Sequence, residues 1–234
     1  MTKRPTRATP GGRAYLDLRK AASAAGRPTD ELLQLYALEG FLDRLSGSPH
    51  ADRVVLKGGV LLAAFDARRP TRDVDLAAVD LANDVNDIRA LVNEILAVDR
   101  DDGLEFDPTA TTSATIRDDD LHGGVRTTVH GSLSTFVVQF HIDVNLCDPL
   151  WPTPEEVDVP RLLGGAPIRM RGYRVELILA RDVLSGFPKI GQQRWAGWRR
   201  KQGLAATTPA IFGDLIEGEI AFADPLLRRA APGQ

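Results

Sequence analysis

Leu56-Lys57-Gly58-Gly59-Val60-Leu61-Leu62, followed by Arg69-Pro70-Thr71-Arg72-Asp73-Val74-Asp75-Leu76, is the stretch on which the reading of the fold turns. The glycine pair reads as the opening of a short helix. A turn follows, and then two aspartates stand two apart in an apolar frame. Strand residues two apart point to the same face, so Asp73 and Asp75 are expected to project together. Paired carboxylates at that distance repel unless a cation lies between them. Magnesium held by carboxylates and by substrate phosphates is the usual arrangement of that kind. Glycines also let backbone N–H groups approach a phosphate closely at the positive end of a helix. The stretch therefore predicts a phosphate-and-magnesium site.

Working outward, 234 residues suffice for one large domain, or for one domain with a smaller appendage. At 43% hydrophobic residues the chain can build a core. No apolar run approaches the ~20 residues of a membrane helix. Residues 1–12 are basic and polar, with no apolar stretch of the secretory kind, and read as a flexible tail. One cysteine, Cys147, rules out an intramolecular disulfide, and a cytoplasmic protein without membrane contact is expected. The net charge of −3 carries no global nucleic-acid signal. The four histidines are dispersed and lack the spacing of a zinc site.

A helix is expected over about 30–45, capped by Thr29, with Leu35, Leu38, Leu42 and Leu45 on one face. A second is expected over 83–98, with Val85, Ile88, Val92 and Ile95 inward. Strands are expected over 112–117, 124–131 and 135–146. In the last, Val138, Phe140, Ile142, Val144 and Leu146 share one face, and Gln139, His141, Asp143 and Asn145 the other. A Pro-rich connection follows Trp151. Helices over 176–186 and 209–222 complete a C-terminal helical part.

A glycine pair before an Asp-x-Asp strand resembles the signature of the polymerase-beta nucleotidyltransferase fold. Further blocks narrow the resemblance: Phe41-Leu42-Asp43-Arg44-Leu45-Ser46, Val55-Leu56-Lys57-Gly58-Gly59, Ile142-Asp143-Val144-Asn145-Leu146-Cys147-Asp148-Pro149, Tyr173-Arg174-Val175-Glu176 and Phe222-Ala223-Asp224-Pro225-Leu226-Leu227. In this order they are similar to the AbiEii and MenT nucleotidyltransferase-like toxins of bacterial toxin–antitoxin systems, over roughly residues 28–228. The resemblance implies an α+β (α/β) fold, a mixed sheet flanked by helices. The core would span 13–171 and the C-terminal helical part 172–234. It implies a two-metal magnesium site on Asp73, Asp75 and Asp143, with Asp143 on the nucleophile side assisting deprotonation. It implies transfer of a nucleoside monophosphate from a nucleotide triphosphate to an acceptor such as the tRNA 3′ end. A cognate antitoxin is the implied partner. Thr71 stands where the family carries a hydroxyl reported as a target of inhibitory phosphorylation. It could equally cap the turn.

Gly58 and Gly59 suit a phosphate or a plain strand-to-helix turn. Lys57 could reach the phosphate or snorkel from a strand end. Arg69 and Arg72 flank the turn, and Arg69 is the better placed to grip a triphosphate. Where these toxins usually carry a lysine after the Tyr-x-x-Glu segment, this chain has Asp182, and Gly197 falls where an aspartate is expected. Arg181 or Lys189 would have to replace the lysine. Arg194, Trp195, Trp198, Arg199, Arg200 and Lys201 form a basic-aromatic cluster that suits RNA stacking or simply a helix with buried tryptophans. Beside the enzyme stand two other readings. One is a degenerate nucleotidyltransferase that binds nucleotide, RNA or a partner without turnover. The other is a small-molecule nucleotidyltransferase using the same acids.

Overall fold

The computed structural model describes residues 4–61, 71–79, 81, 84–117, 123–146 and 153–173. The chain divides into two compact units, Met1–Tyr173 and Arg174–Gln234, and the described residues all belong to the first. In chain order that unit runs α1 (Pro10–Ala25), α2 (Thr29–Ser46), β1 (Val54–Lys57), α3 (Gly58–Leu61), β2 (Asp73–Ala78), α4 (Val85–Leu96), β3 (Leu104–Phe106), β4 (Thr112–Arg117), β5 (Gly123–Leu133), β6 (Phe136–Asn145), β7 (Glu155–Val159) and β8 (Ile168–Gly172). It is a mixed α+β architecture, as expected.

The strands form one sheet in the order β3-β5-β6-β2-β1-β8-β7, with β4 also pairing β5. The outer edge of β5 is shared, β4 taking Gly123–Thr128 and β3 taking Gly131–Leu133. β2 runs parallel to β6, and β1 parallel to β8, while the remaining pairs are antiparallel. The parallel β2–β6 pair sets the site, because its register places Val74 beside Ile142, Asp75 beside Asp143 and Leu76 beside Val144.

Alternation along these strands divides the sheet into two faces. Val74, Leu76, Val125, Val138, Phe140, Ile142 and Val144 are all buried. Phe41 of α2 packs edge-on against Phe140 at 6.1 Å between ring centres, so α2 covers this apolar face. Leu33, Leu38, Phe41, Leu42 and Leu45 of α2 are buried to 1% exposure or less. Asp73, Asp75, His141 and Asp143 alternate with the apolar set and lie on the opposite face.

Helix α1 begins inside the stretch expected to be a tail. Thr9 caps it by accepting from the Gly12 N–H at 3.1 Å, and Pro10 starts its first turn. Gly11 and Gly12 are buried, and a Cβ on Gly11 would lie 2.8 Å from the Gly103 carbonyl oxygen. Those glycines fall in the expected tail, yet here they permit close packing within and against a helix. Thr29 is the first residue of α2, and no side chain caps that helix. Pro28 holds the cap position, and Asp30 and Glu31 in the first turn meet the helix's positive end. In α4 the Asp84 carboxylate accepts from the Asn86 and Asp87 N–H groups at 2.7 and 3.1 Å.

The Pro-rich connection contains a hairpin, β7 with β8, whose Val157, Val159, Ile168 and Met170 are buried. Its attachment to β1 ends with the Tyr173 N–H donating to the Leu56 carbonyl at 2.9 Å. The Asp43-Arg44 pair within α2 acts as an anchor. Asp43 receives Arg100 at 2.9 Å and Arg161, and so ties α2 to the loop before β3 and to the β7–β8 connection. Arg44 is 3% exposed, forks onto Asp102 at 2.5 and 3.1 Å and lies 4.9 Å from the Phe106 ring centre. The expected helices over 176–186 and 209–222 lie outside the described residues.

Candidate active site

Directly paired residues on neighbouring strands project to one side of a sheet. The registers of β1, β2, β6 and β5 therefore line up one row of four charged residues: Lys57 beside Asp75, Asp75 beside Asp143, and Asp143 beside Arg126. The next row places Asp73 beside His141 and His141 beside Thr128. Three carboxylates thus occupy adjacent positions on one face, with Lys57 and Arg126 at the two ends of the longer row.

Gly58 stands against the middle of this row. Its φ is +70°, and a Cβ there would overlap a carboxylate oxygen of Asp75. The glycine is needed on both counts, since a side chain would strain the backbone and displace Asp75. Gly58 opens α3 directly after β1, and Gly59 and Val60 behind it are buried. Lys57 and Asp143 are each 8% exposed.

One contact in the row has no counterpart in the sequence analysis. Arg126 donates from Nε to Asp143 Oδ1 at 2.8 Å and from Nη2 to Asp143 Oδ2 at 2.6 Å, a bidentate ion pair. The hydrogen bonds to Asp143 raise the basicity of Arg126 above its ordinary value. Burial opposes this, and the negative charges of Asp143, Asp73 and Asp75 add to it. All three carboxylates therefore act electrostatically on a single guanidinium. The alternation of Val125, Thr127 and Val129 with Arg126, Thr128 and His130 was the available signal for Arg126. Its partner could be read only from the β5–β6 register.

In the second row, His141 Nδ1 lies 3.1 Å from Thr128 Oγ1, and the His141 N–H donates to the Arg72 carbonyl at 3.1 Å. The Thr71 hydroxyl accepts from the Asp73 N–H and reaches the Asp73 carbonyl, both at 3.3 Å. It thereby caps the start of β2, one of its two expected roles. The structure brings together Lys57, Gly58, Gly59, Asp73, Asp75 and Asp143, with Thr71 at the rim. Arg69, Arg181 and Lys189 lie outside the described residues, as do Asp182, Gly197 and the cluster from Arg194 to Lys201.

Hard carboxylate oxygens on adjacent strands, under a glycine that leaves them room, suit a hard divalent cation. Among the described residues no three ligand side chains are already gathered around a common point. Both oxygens of Asp143 are engaged by Arg126.

A family model for the nucleotidyl transferase AbiEii toxin of type IV toxin–antitoxin systems matches residues 40–181, more than half of the chain. This chain belongs to the AbiEii nucleotidyltransferase toxin family. The match contains β1, α3, β2, β5 and β6, and hence every residue of the two rows. Two solved structures from Helicobacter pylori are similar. JHP933 is 14% identical, with a TM-score of 0.42, over 74% of this chain and 57% of its own. A candidate nucleotidyltransferase is 15% identical, with a TM-score of 0.44, over 68% of this chain and 60% of its own. The AbiEii chain thus spans less than two thirds of either protein's length. No curated protein matches it. No described helix is long and apolar enough to cross a membrane.

Proposed function

We propose that this AbiEii-family protein is a magnesium-dependent nucleotidyltransferase toxin. It would transfer a nucleoside monophosphate from a nucleotide triphosphate to an acceptor hydroxyl, releasing pyrophosphate as the α–β phosphoanhydride breaks, with the tRNA 3′ end as the favoured acceptor. A cytoplasmic setting and a cognate antitoxin go with that reading. The observation that carries it is the in-register placement of Asp75 beside Asp143, with Asp73 on the same face. Divalent metal, when bound, would neutralise the triphosphate and lower the pKa of the acceptor hydroxyl. Asp73 and Asp75 would hold both ions of a two-metal site. Asp143 would hold the acceptor side and assist removal of the hydroxyl proton. Gly58 and Gly59 would let backbone N–H groups approach a phosphate. Lys57 sits beside Asp75 and would supply charge to the triphosphate, joined by Arg69 and by Arg181 or Lys189. The test is incubation of the protein with each labelled nucleotide triphosphate, magnesium and total RNA. Label should pass to RNA, and Asp73→Ala or Asp75→Ala should abolish transfer in a folded protein. Undiminished transfer in either variant refutes the assignment.

One observation favours a second reading, in which the protein binds nucleotide or a partner without turnover. Asp182 and Gly197 replace the lysine and aspartate that the resemblance leads one to expect. Magnesium-dependent nucleotide binding by calorimetry, with no label transferred to any RNA, would establish it.

A further inference from the structure

We propose that Arg126 is a displaceable cation that competes with divalent metal for the Asp143 carboxylate. The inference rests on the carboxylate-site reading above. It starts from the fork: both Asp143 oxygens are taken by one guanidinium, at 2.8 and 2.6 Å. A metal at the acceptor side needs at least one of those oxygens, so metal and Arg126 compete for one carboxylate.

The environment of the two partners makes the competition real. The Asp143 side chain is 11% exposed, so it has little water to fall back on and holds whichever cation is present. The Arg126 side chain is 43% exposed, so it can swing to solvent without opening a cavity in the core. Arg126 also lies in the field of Asp73 and Asp75. The two rows hold three carboxylates and two cations, Lys57 and Arg126. Removing Arg126 takes one positive charge from beside the carboxylates and frees both Asp143 oxygens from its fork. An arginine that merely braced β5 on β6 would behave differently. Its loss would loosen Asp143 and leave metal affinity unchanged or lower.

The probe is Mn2+ alone, titrated into the full chain without nucleotide and followed by the electron paramagnetic resonance signal of free Mn2+. Thermal unfolding in parallel confirms the fold of each variant. Arg126→Gln should bind Mn2+ about tenfold more tightly than wild type, the effect of losing one competing charge-assisted hydrogen bond. Arg126→Lys keeps the charge but not the fork, and should fall between the two. Affinity in Arg126→Gln equal to or weaker than wild type, with binding still abolished by Asp73→Asn, overturns the proposal and leaves the carboxylate site standing. Arg126→Lys equal to wild type overturns the fork as the competing element. Mn2+ binding that survives Asp73→Asn, or no Mn2+ binding by any of these proteins, overturns the underlying site and the proposal with it.

Discussion

Replacing Gly58 by alanine tests the site where backbone and chemistry meet. The φ of +70° is a conformation that costs an L-residue roughly 1–2 kcal/mol. In a chain of this size that is a fall of about 2–8 °C in Tm. The new methyl group would also overlap the Asp75 carboxylate, which must move aside or turn. A displacement on the order of 1 Å in a group that positions reactants can cost ~100-fold in rate. Gly58→Ala is therefore expected to lose little stability but most of any nucleotide transfer. Urea unfolding reads the first effect, and labelled transfer to RNA at saturating magnesium reads the second. The double variant with Asp75→Ala separates the causes. If Gly58 acts by giving room to Asp75, Gly58→Ala should cost less stability in the Asp75→Ala background than in wild type, because the carboxylate that the added methyl group displaces is already gone. Wild-type transfer in a stably folded Gly58→Ala protein would refute the reasoning, and so would an equal loss of stability in both backgrounds.

Arg44→Ala should destabilise the first unit by about 3 kcal/mol, because it leaves Asp102 without its fork and empties a buried position; a loss under about 1 kcal/mol in urea unfolding would show that the pair adds little. Burial works to raise the pKa of Asp43, but hydrogen bonds and charge from Arg161 and Arg100 outweigh it and hold the carboxyl below its ordinary 3.8. A carboxyl depressed on folding contributes stability that is complete above its unfolded pKa and is lost as pH falls through the folded one. The stability gap between wild type and Asp43→Asn should accordingly narrow as pH drops from about 5 to about 3 in urea titrations, and a gap that stays constant contradicts it. Thr71→Val should keep transfer activity near wild type. Thr71→Glu, which adds negative charge beside Asp73, should depress it, and equal activity of the two would remove the case for charge-based regulation at that position.

Much of this architecture is local in origin and was legible in the sequence. Alternation along 135–146 identifies the strand and separates Asp143 from Phe140 and Ile142. Helical periodicity marks α2 and α4. The glycine pair and the Asp-x-Asp strand mark the β1–β2 half of the carboxylate cluster. Signals that depend on distant partners were misread. Gly11 and Gly12 read as part of a tail until Gly103 is seen packed against Gly11 and the Thr6 carbonyl against Gly12. The β7–β8 hairpin hides among prolines because each strand is only five residues long and gains its meaning from pairing with the other and with β1. Asp43 and Arg44 belong to a block that resembles the toxin family, yet their partners Arg100, Asp102 and Arg161 lie far along the chain and show them to be anchors rather than chemistry.

The sequence by itself determined which residues could bear charge on a common strand face, because side-chain alternation is a property of one strand. It thereby singled out Asp73, Asp75 and Asp143 and the glycines before them. Only the tertiary structure decided which residues of different strands stand side by side. A shift of one residue in the β2–β6 or β5–β6 register would turn every side chain of the shifted strand to the other face. That register is held by the apolar side of the sheet, where Val74, Ile142 and Val125 are all fully buried. The same requirement places Arg126 on Asp143, a contact that no local pattern in the chain records.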